Sequence, residues 1–321
     1  MTRSSGEATV QVPYASRSTD DHSPSRAHPA YVFVLGSGRC GSTLVQEVLC
    51  RHPEVGFVSN VEDRFAVPAH LTRWNGLLYR RLPASVARKG PKRFVPSEAY
   101  RALDREVSPM LSAPFRDLDA REASPWLAAR LHRFFGERAA AQQVTTFLHK
   151  FTGWPRAGLL HRVFPGARFI HIVRDGRAVA NSLLQVPWWR GYGGPEHWQW
   201  GPLPGELAQQ WEAADRSFAV LAGLQWRLLM DAHDRAREKL PAGCWLDVRY
   251  EDVTARPDAS FREMLDFCGL ESSDEFDRGL ARHHIHESRT DAFRRELNAD
   301  ELESLTKAIT PTLEAHGYVP E

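Results

Sequence analysis

The chain has 321 residues, 42% of them hydrophobic and 25% charged, which suits one α/β core carrying insertions and excludes a fibrous or wholly disordered polypeptide. Forty-one basic against forty acidic residues give no overall pull toward nucleic acid or an anionic membrane, so any anion site has to be local. Cys40, Cys50, Cys244 and Cys268 show no CxxC spacing, which speaks against a zinc site and offers no disulfide framework.

Residues 1–29, rich in Ser, Thr, Arg, Asp and Pro, have the composition of a flexible tail, and 30–321 are expected to form one domain. No apolar run approaches membrane-spanning length, and the first thirty residues lack the apolar centre of a secretory signal. A reducing cytoplasm is the expected location. The first predicted strand, 31–35, runs into Gly36-Ser37-Gly38-Arg39-Cys40-Gly41-Ser42-Thr43-Leu44, a glycine-rich turn that opens a helix. This is nearly the nucleotide-binding P-loop pattern, with Gly36 and Gly41 correctly separated and Thr43 closing it, but Ser42 stands where the loop lysine belongs. In a nucleoside triphosphatase that lysine reaches the terminal phosphates, so its absence suits a donor without a triphosphate end. Backbone N–H groups and the positive end of the helix remain for a 5′-phosphate.

A short strand is predicted at 55–58, entered through His52-Pro53, and further buried strands at 144–148, 168–173 and 245–248. Helical stretches alternate with them, which implies a three-layer α/β fold around a mostly parallel sheet of about five strands. The segment from about 63 to 143 reads as a helical insertion, aromatic and basic near Trp74, Tyr79, Arg80, Arg81, Lys89, Lys92 and Arg93. A second insertion, about 187–205, is too rich in Gly, Pro and Trp for regular structure, and loops of that kind shape binding sites. After the 168–173 strand comes Arg174-Asp175-Gly176-Arg177-Ala178, again a polar turn opening a helix, with Asp175 placed to cap it. Ligands of open α/β sheets lie outside the carboxyl ends of the strands, where both Arg39 and Arg174 sit. Arg174 supplies a planar fork of donors and Ser182, about two helical turns on, a hydroxyl, which suits a phosphate remote from the first loop.

Together these motifs resemble the sulfotransferases that use 3′-phosphoadenylyl sulfate (PAPS), in the style of bacterial members and of the tyrosylprotein sulfotransferase branch. The resemblance runs from about residue 31 to Gly317-Tyr318 and includes His52-Pro53-Glu54-Val55, Phe164-Pro165-Gly166-Ala167, Val248-Arg249-Tyr250-Glu251-Asp252-Val253 and Phe267-Cys268-Gly269-Leu270. It implies a P-loop-like fold and in-line sulfuryl transfer from PAPS, without a metal, to a hydroxyl or amine of a small-molecule, carbohydrate, lipid or peptide acceptor. The product nucleotide is 3′,5′-adenosine bisphosphate. By the same resemblance Arg39, Cys40, Gly41, Ser42, Thr43 and Leu44 hold the 5′-phosphosulfate, and Arg174 with Ser182 holds the 3′-phosphate. Arg39 and Lys150, the latter ending the 144–148 strand, serve the sulfonate and leaving group, and Glu62 is the base. Asp63, His70 and His149 compete with Glu62 for that role. The arginine that the tyrosylprotein branch places one turn beyond the serine is replaced by Val186, with Arg190 a possible substitute.

Other readings carry less of the sequence. A degenerate P-loop kinase or nucleoside triphosphatase lacks the lysine, and a non-catalytic nucleotide-binding protein leaves Lys150 and Glu62 without a role. His283-His284-Ile285-His286-Glu287 has no partner motif for a metal, and the aromatic and basic run at 74–94 reads as a lid or acceptor wall rather than a nucleic-acid surface. Trp188, Trp189, Trp198 and Trp200 suit stacking on a sugar, an aromatic ring or a lipid-like chain, or simple packing.

Overall fold

A computed structural model describes residues 29–82, 94–283, 285 and 290–319. Apart from residue 29 the expected tail lies outside the described residues, as do Lys89, Lys92 and Arg93 and most of the 283–287 cluster. The chain runs β1 (Ala30–Gly36), α1 (Ser42–Leu49), β2 (Val55–Gly56), α2 (Asn60–Phe65), α3 (Asn75–Arg81), α4 (Tyr100–Glu106), α5 (Pro125–Gln142), β3 (Thr146–Thr152), α6 (Ala157–Val163), β4 (Arg168–Val173) and α7 (Gly176–Leu184). It continues with α8 (Gly205–Ala213), α9 (Phe218–Glu238), β5 (Trp245–Arg249), α10 (Tyr250–Ala255), α11 (Pro257–Cys268), α12 (Asp274–Ala281), α13 (Phe293–Glu296) and α14 (Ala299–Ala315). The five strands form one parallel sheet in the order β2-β3-β1-β4-β5. None of the helices is long and apolar enough to cross a membrane among the described residues.

Strand alternation sorts the core into layers. Phe33, Phe147, Phe151 and Phe169 face one way and pack with Leu131 and Phe135 of α5 and Leu160 of α6. Val32, Val34, Leu148, Ile170 and Ile172 face the other way, onto Val45 and Val48 of α1 and Phe261 and Leu265 of α11. These strands read as continuous apolar runs because both faces are covered. A third cluster joins α7, α9 and α14 around Trp226, Leu305 and Ile309.

Two strand predictions need correcting. The second strand stops at Gly56, because the side-chain amide of Gln142 takes both backbone groups of Phe57, accepting from its N–H at 3.1 Å and donating to its carbonyl at 2.9 Å. The third begins at Thr146 and continues to Thr152, since Gln143 is left-handed (φ 53°) and Val144 N still bonds Ala139 O at the end of α5. Lys150 therefore sits inside β3, level with Val34, rather than at its end. The 187–205 stretch has a single 3-10 turn at Gly191–Gly193 before α8, and the described part of 63–143 carries α3, α4 and α5 with irregular stretches between them.

The start of α7 is fixed by close approach to α9: a Cβ on Gly176 would run into the buried ring of Trp226. Gly176→Ala is expected to cost about 1–3 kcal/mol of stability through that overlap, read as a lower urea midpoint; an unchanged midpoint would mean that the helices separate freely here.

Candidate functional site

Three chain segments converge at the carboxyl end of the sheet. In the turn after β1, Gly38, Arg39 and Gly41 all have left-handed backbones, with φ of 81°, 56° and 95°. For arginine that conformation costs of order 1–3 kcal/mol and persists only where the surroundings enforce it. Gly41 has no alternative, because a Cβ there would overlap the ring of Tyr250. Cys40 is fully buried, with Sγ packed under Gly36, so its side chain plugs the base of the turn. Helix α1 starts from Gly41 without a side-chain cap, which leaves its first N–H groups facing the cleft for an anion.

The turn after β4 closes on the first. Arg174 Nη1 donates to the carbonyl of Arg39 at 3.0 Å and its guanidinium lies over the Tyr250 ring, 4.6 Å from the centroid. Arg39 Nε donates to Ser182 Oγ of α7 at 2.9 Å. Asp175 caps α7 as expected, accepting from Arg177 N at 2.8 Å, and pairs with the Arg177 guanidinium at 2.7 Å. Arg177 in turn donates to the carbonyl of Val319, and Glu251 accepts from Asp175 N and from the Tyr318 hydroxyl. The second arginine of the Arg-Asp-Gly-Arg run is thus structural.

The third segment is β3. Alternation puts His149 and Lys150 on opposite faces of the sheet. Lys150 Nζ, almost fully buried, donates to Thr43 Oγ1 at 2.7 Å and pairs with Glu98 Oε1 at 2.8 Å. The other oxygen of Glu98 accepts from Thr152 Oγ1 at 3.3 Å, and Tyr100 donates toward the Thr152 carbonyl. Burial, reinforced by the Glu98 charge, pushes the Tyr100 phenol up to about 12, so it stays a neutral donor.

The cleft enclosed by these segments has a volume of about 770 Å³ and is lined by Arg39, Ser42, Thr43, Arg174 and Ser182 among others. Of the predicted residues, Gly41 also lines it, Lys150 reaches it through Thr43 and Glu98, and Cys40 and Leu44 lie beneath it, Leu44 against the core. Val186 is on its wall, whereas Arg190 lies in a small adjoining cavity with Trp189 and Gln225 that meets the cleft at Trp188 and Gln199.

Glu62 is not in the cleft. It is 1% exposed at the start of α2, where it closes a capping box with Ser59. Its carboxylate accepts from Ser59 N at 2.9 Å, from Asn75 Nδ2 and from Arg138 Nε at 2.9 Å. Burial pushes this carboxyl above the usual range, against the opposing pull of Ser59, Arg138 and Asn75. The competing residues are elsewhere too. Asp63 caps the backbone of Ala102, and His70 lines a different cavity with Arg105 and Glu137. His149 is buried edge-on to Phe135 and Phe151, where burial and then the Lys150 charge lower its pKa to about 3. The carboxylate that does line the cleft is Glu98, with Tyr100, Thr152, Asn181 and Gln185, none of which the sequence singled out. His283, the described histidine of the 283–287 cluster, accepts from Arg51 Nε at 3.4 Å.

A family model described as the sulfotransferase family matches residues 29–274. The chain belongs to this family. Sulfotransferase STF9 from Mycobacterium avium superposes on this family member with a TM-score of 0.57 at 18% identity, covering 91% of this chain and 78% of its own. The sulfotransferase domain from the curacin biosynthetic pathway gives a TM-score of 0.50 at 13% identity over 91% of this chain and 98% of its own. Both share its fold. A search of curated proteins returns no match.

Two variants separate architecture from chemistry. Glu62→Gln should cost about 1–3 kcal/mol of stability by removing the charged acceptor of Arg138 Nε, which keeps its pair with Glu106 at 2.9 Å, read by urea unfolding; loss of turnover at unchanged stability would return Glu62 to the reaction. His149 binds fewer protons folded than unfolded between pH 3 and 6.5, so stability falls as pH drops through that window, by about 2 kcal/mol between pH 7 and 5. His149→Phe should remove that decrement relative to the parent while turnover persists; lost turnover would make the imidazole a participant.

Proposed function

We propose that this sulfotransferase-family protein moves the sulfuryl group of PAPS to a hydroxyl or amine acceptor, releasing 3′,5′-adenosine bisphosphate. The observation that carries the reading is the meeting of two anion-type turns, one after β1 and one after β4, through Arg39, Arg174 and Ser182. One such turn suits one phosphate; two facing one cleft suit a nucleotide phosphorylated at both ends. The charge set agrees: among the described residues that line or reach the cleft, Arg39, Arg174 and Lys150 stand against the carboxylate of Glu98.

In this reading the N–H groups from Cys40 to Thr43 and the hydroxyls of Ser42 and Thr43 hold the 5′-phosphate side. Arg174, its plane fixed against Tyr250, holds the 3′-phosphate with Ser182. Arg39 and Lys150 stabilise the negative charge that grows on the leaving oxygen. Glu98, already accepting from Lys150 and Thr152, takes the role of base that the resemblance implied for Glu62, with Tyr100 a fixed neutral donor beside it. Residues 30–321 are read as one domain, because Tyr318 and Val319 reach back to α10 and α7 beside the cleft, and the absence of CxxC spacing among its cysteines suits a reducing cytoplasm. A kinase-like reading is disfavoured by the Lys150 ammonium on Thr43 Oγ1, the hydroxyl on which a P-loop enzyme holds magnesium.

Calorimetry tests this directly. The bisphosphate should bind with micromolar or tighter affinity to the parent protein and not to Arg174→Ala, while ATP with magnesium binds weakly; the reverse preference would move the protein to the kinases. Arg39→Ala and Arg174→Ala should each abolish transfer at unchanged urea midpoint. Glu98→Gln should lower kcat by about 10²- to 10⁴-fold with bisphosphate binding retained, and turnover at the parent rate would remove Glu98 from the mechanism. Tight bisphosphate binding in a protein that transfers to no acceptor, with Lys150 and Glu98 substitutions silent, would instead indicate a binding protein.

A further inference from the structure

The cleft continues past Tyr100 and Thr152 into the glycine-, proline- and tryptophan-rich insertion. A narrow cavity of about 130 Å³ shares Tyr100, Thr152 and Gln199 with the cleft and adds Ala113, Pro114 and Trp200. An open groove of about 710 Å³ shares Ala113 and Gln199 with that cavity and runs on over Phe115, Trp198, Leu203 and Trp211. The three spaces therefore follow one another, and the catalytic end of the cleft, at Glu98 and Tyr100, is the end nearest the narrow cavity.

The polar groups of the narrow part are turned to the protein's own backbone. Arg156 is fully buried and donates to the carbonyls of Leu111 at 2.8 Å, Thr152 at 3.3 Å and Trp154. Ser112 donates to Pro109 O at 3.0 Å. What remains for an occupant is a lining about half apolar, from Ala113, Pro114 and Trp200, with polar groups already engaged with the protein and the amide of Gln199. At 130 Å³ the passage holds about four waters at ~30 Å³ each, which admits an unbranched chain or a flat ring and not a pyranose with its substituents or a peptide backbone with side chains. Beyond it Phe115 is 67% exposed, an unusual state for a large apolar side chain that a ligand would relieve. The charged residues of the groove wall, Glu196 and Glu212, are both acidic, and the arginines beside it, Arg116 and Arg216, are already paired with Glu122 and Glu212, which favours a neutral tail over an anionic one.

We infer that this groove is the acceptor subsite, and that the acceptor is a neutral alcohol whose unbranched apolar tail runs through the narrow passage onto Phe115, Trp198 and Trp211. Its hydroxyl then lies at Glu98. The inference rests on the sulfotransferase reading above and specifies its acceptor class.

The test is a series of primary alcohols from four to ten carbons, with PAPS as donor and bisphosphate release as the readout, beside calorimetric bisphosphate binding on the same samples. In the parent protein kcat/KM should rise about fourfold per added methylene over the part of the chain that enters the groove. Ala113→Trp, which fills the junction of passage and groove from an exposed position, should flatten that rise while the bisphosphate still binds. A flat series in the parent, an unchanged slope in Ala113→Trp, or faster transfer to a simple glycoside or a tyrosine peptide than to decanol would overturn the acceptor assignment alone. Failure of the parent protein to bind the bisphosphate would instead remove the sulfotransferase reading and this assignment with it.

Discussion

The parallel pairing of β1 between β3 and β4, with Gly36 level with both Thr152 and Ile172, is the constraint on which the site depends. Parallel strands end on the same side, so segments more than a hundred residues apart in sequence present their following turns to one space. The turn after β1 brings Arg39, the turn after β4 brings Arg174, and the last residues of β3 bring Lys150 and Thr152. None of these side chains has to be steered by a long loop. Each is within a few residues of a strand buried on both faces, so its position is as rigid as the sheet.

The interactions at that edge are charge-assisted and largely shielded from water. Lys150 is a buried ammonium that bonds a carboxylate and a hydroxyl, and an unpaired ammonium at the same depth would be expelled or neutralised. Arg39 and Arg174 are held by each other's segment, one through a side-chain hydroxyl and the other through a backbone carbonyl. Strain in the Arg39 backbone is thereby maintained by the same contacts that aim its guanidinium.

Much of this was legible before the structure. Unbroken apolar runs marked the central strands, and Gly38 before Arg39 and Gly176 after Arg174 marked both turns, because turn chemistry and strand burial are local properties. Register parity was the first limit: His149 and Lys150 are neighbours in sequence, yet only pairing with β1 decides which face meets α1. Glu62 shows a second. Its spacing from Ser59 is that of a capping box, a signal present in the sequence and outweighed by the resemblance. Glu98 shows a third, since it reaches the cleft from an irregular stretch, held by a lone bridge between Ser59 and Pro96, whose path no periodicity encodes.

The hold of Tyr318 and Val319 on Glu251 and Arg177 also has a bearing on synthesis. Chains emerge from the ribosome at about 5–20 residues per second and fold from the amino end. The turn around Arg174 leaves the ribosome well before Tyr318 and Val319, which give it these supports. Until they follow, the Asp175–Arg177 cap of α7 lacks those contacts, so the anion cleft is completed after β5, the last strand of the sheet, has been made.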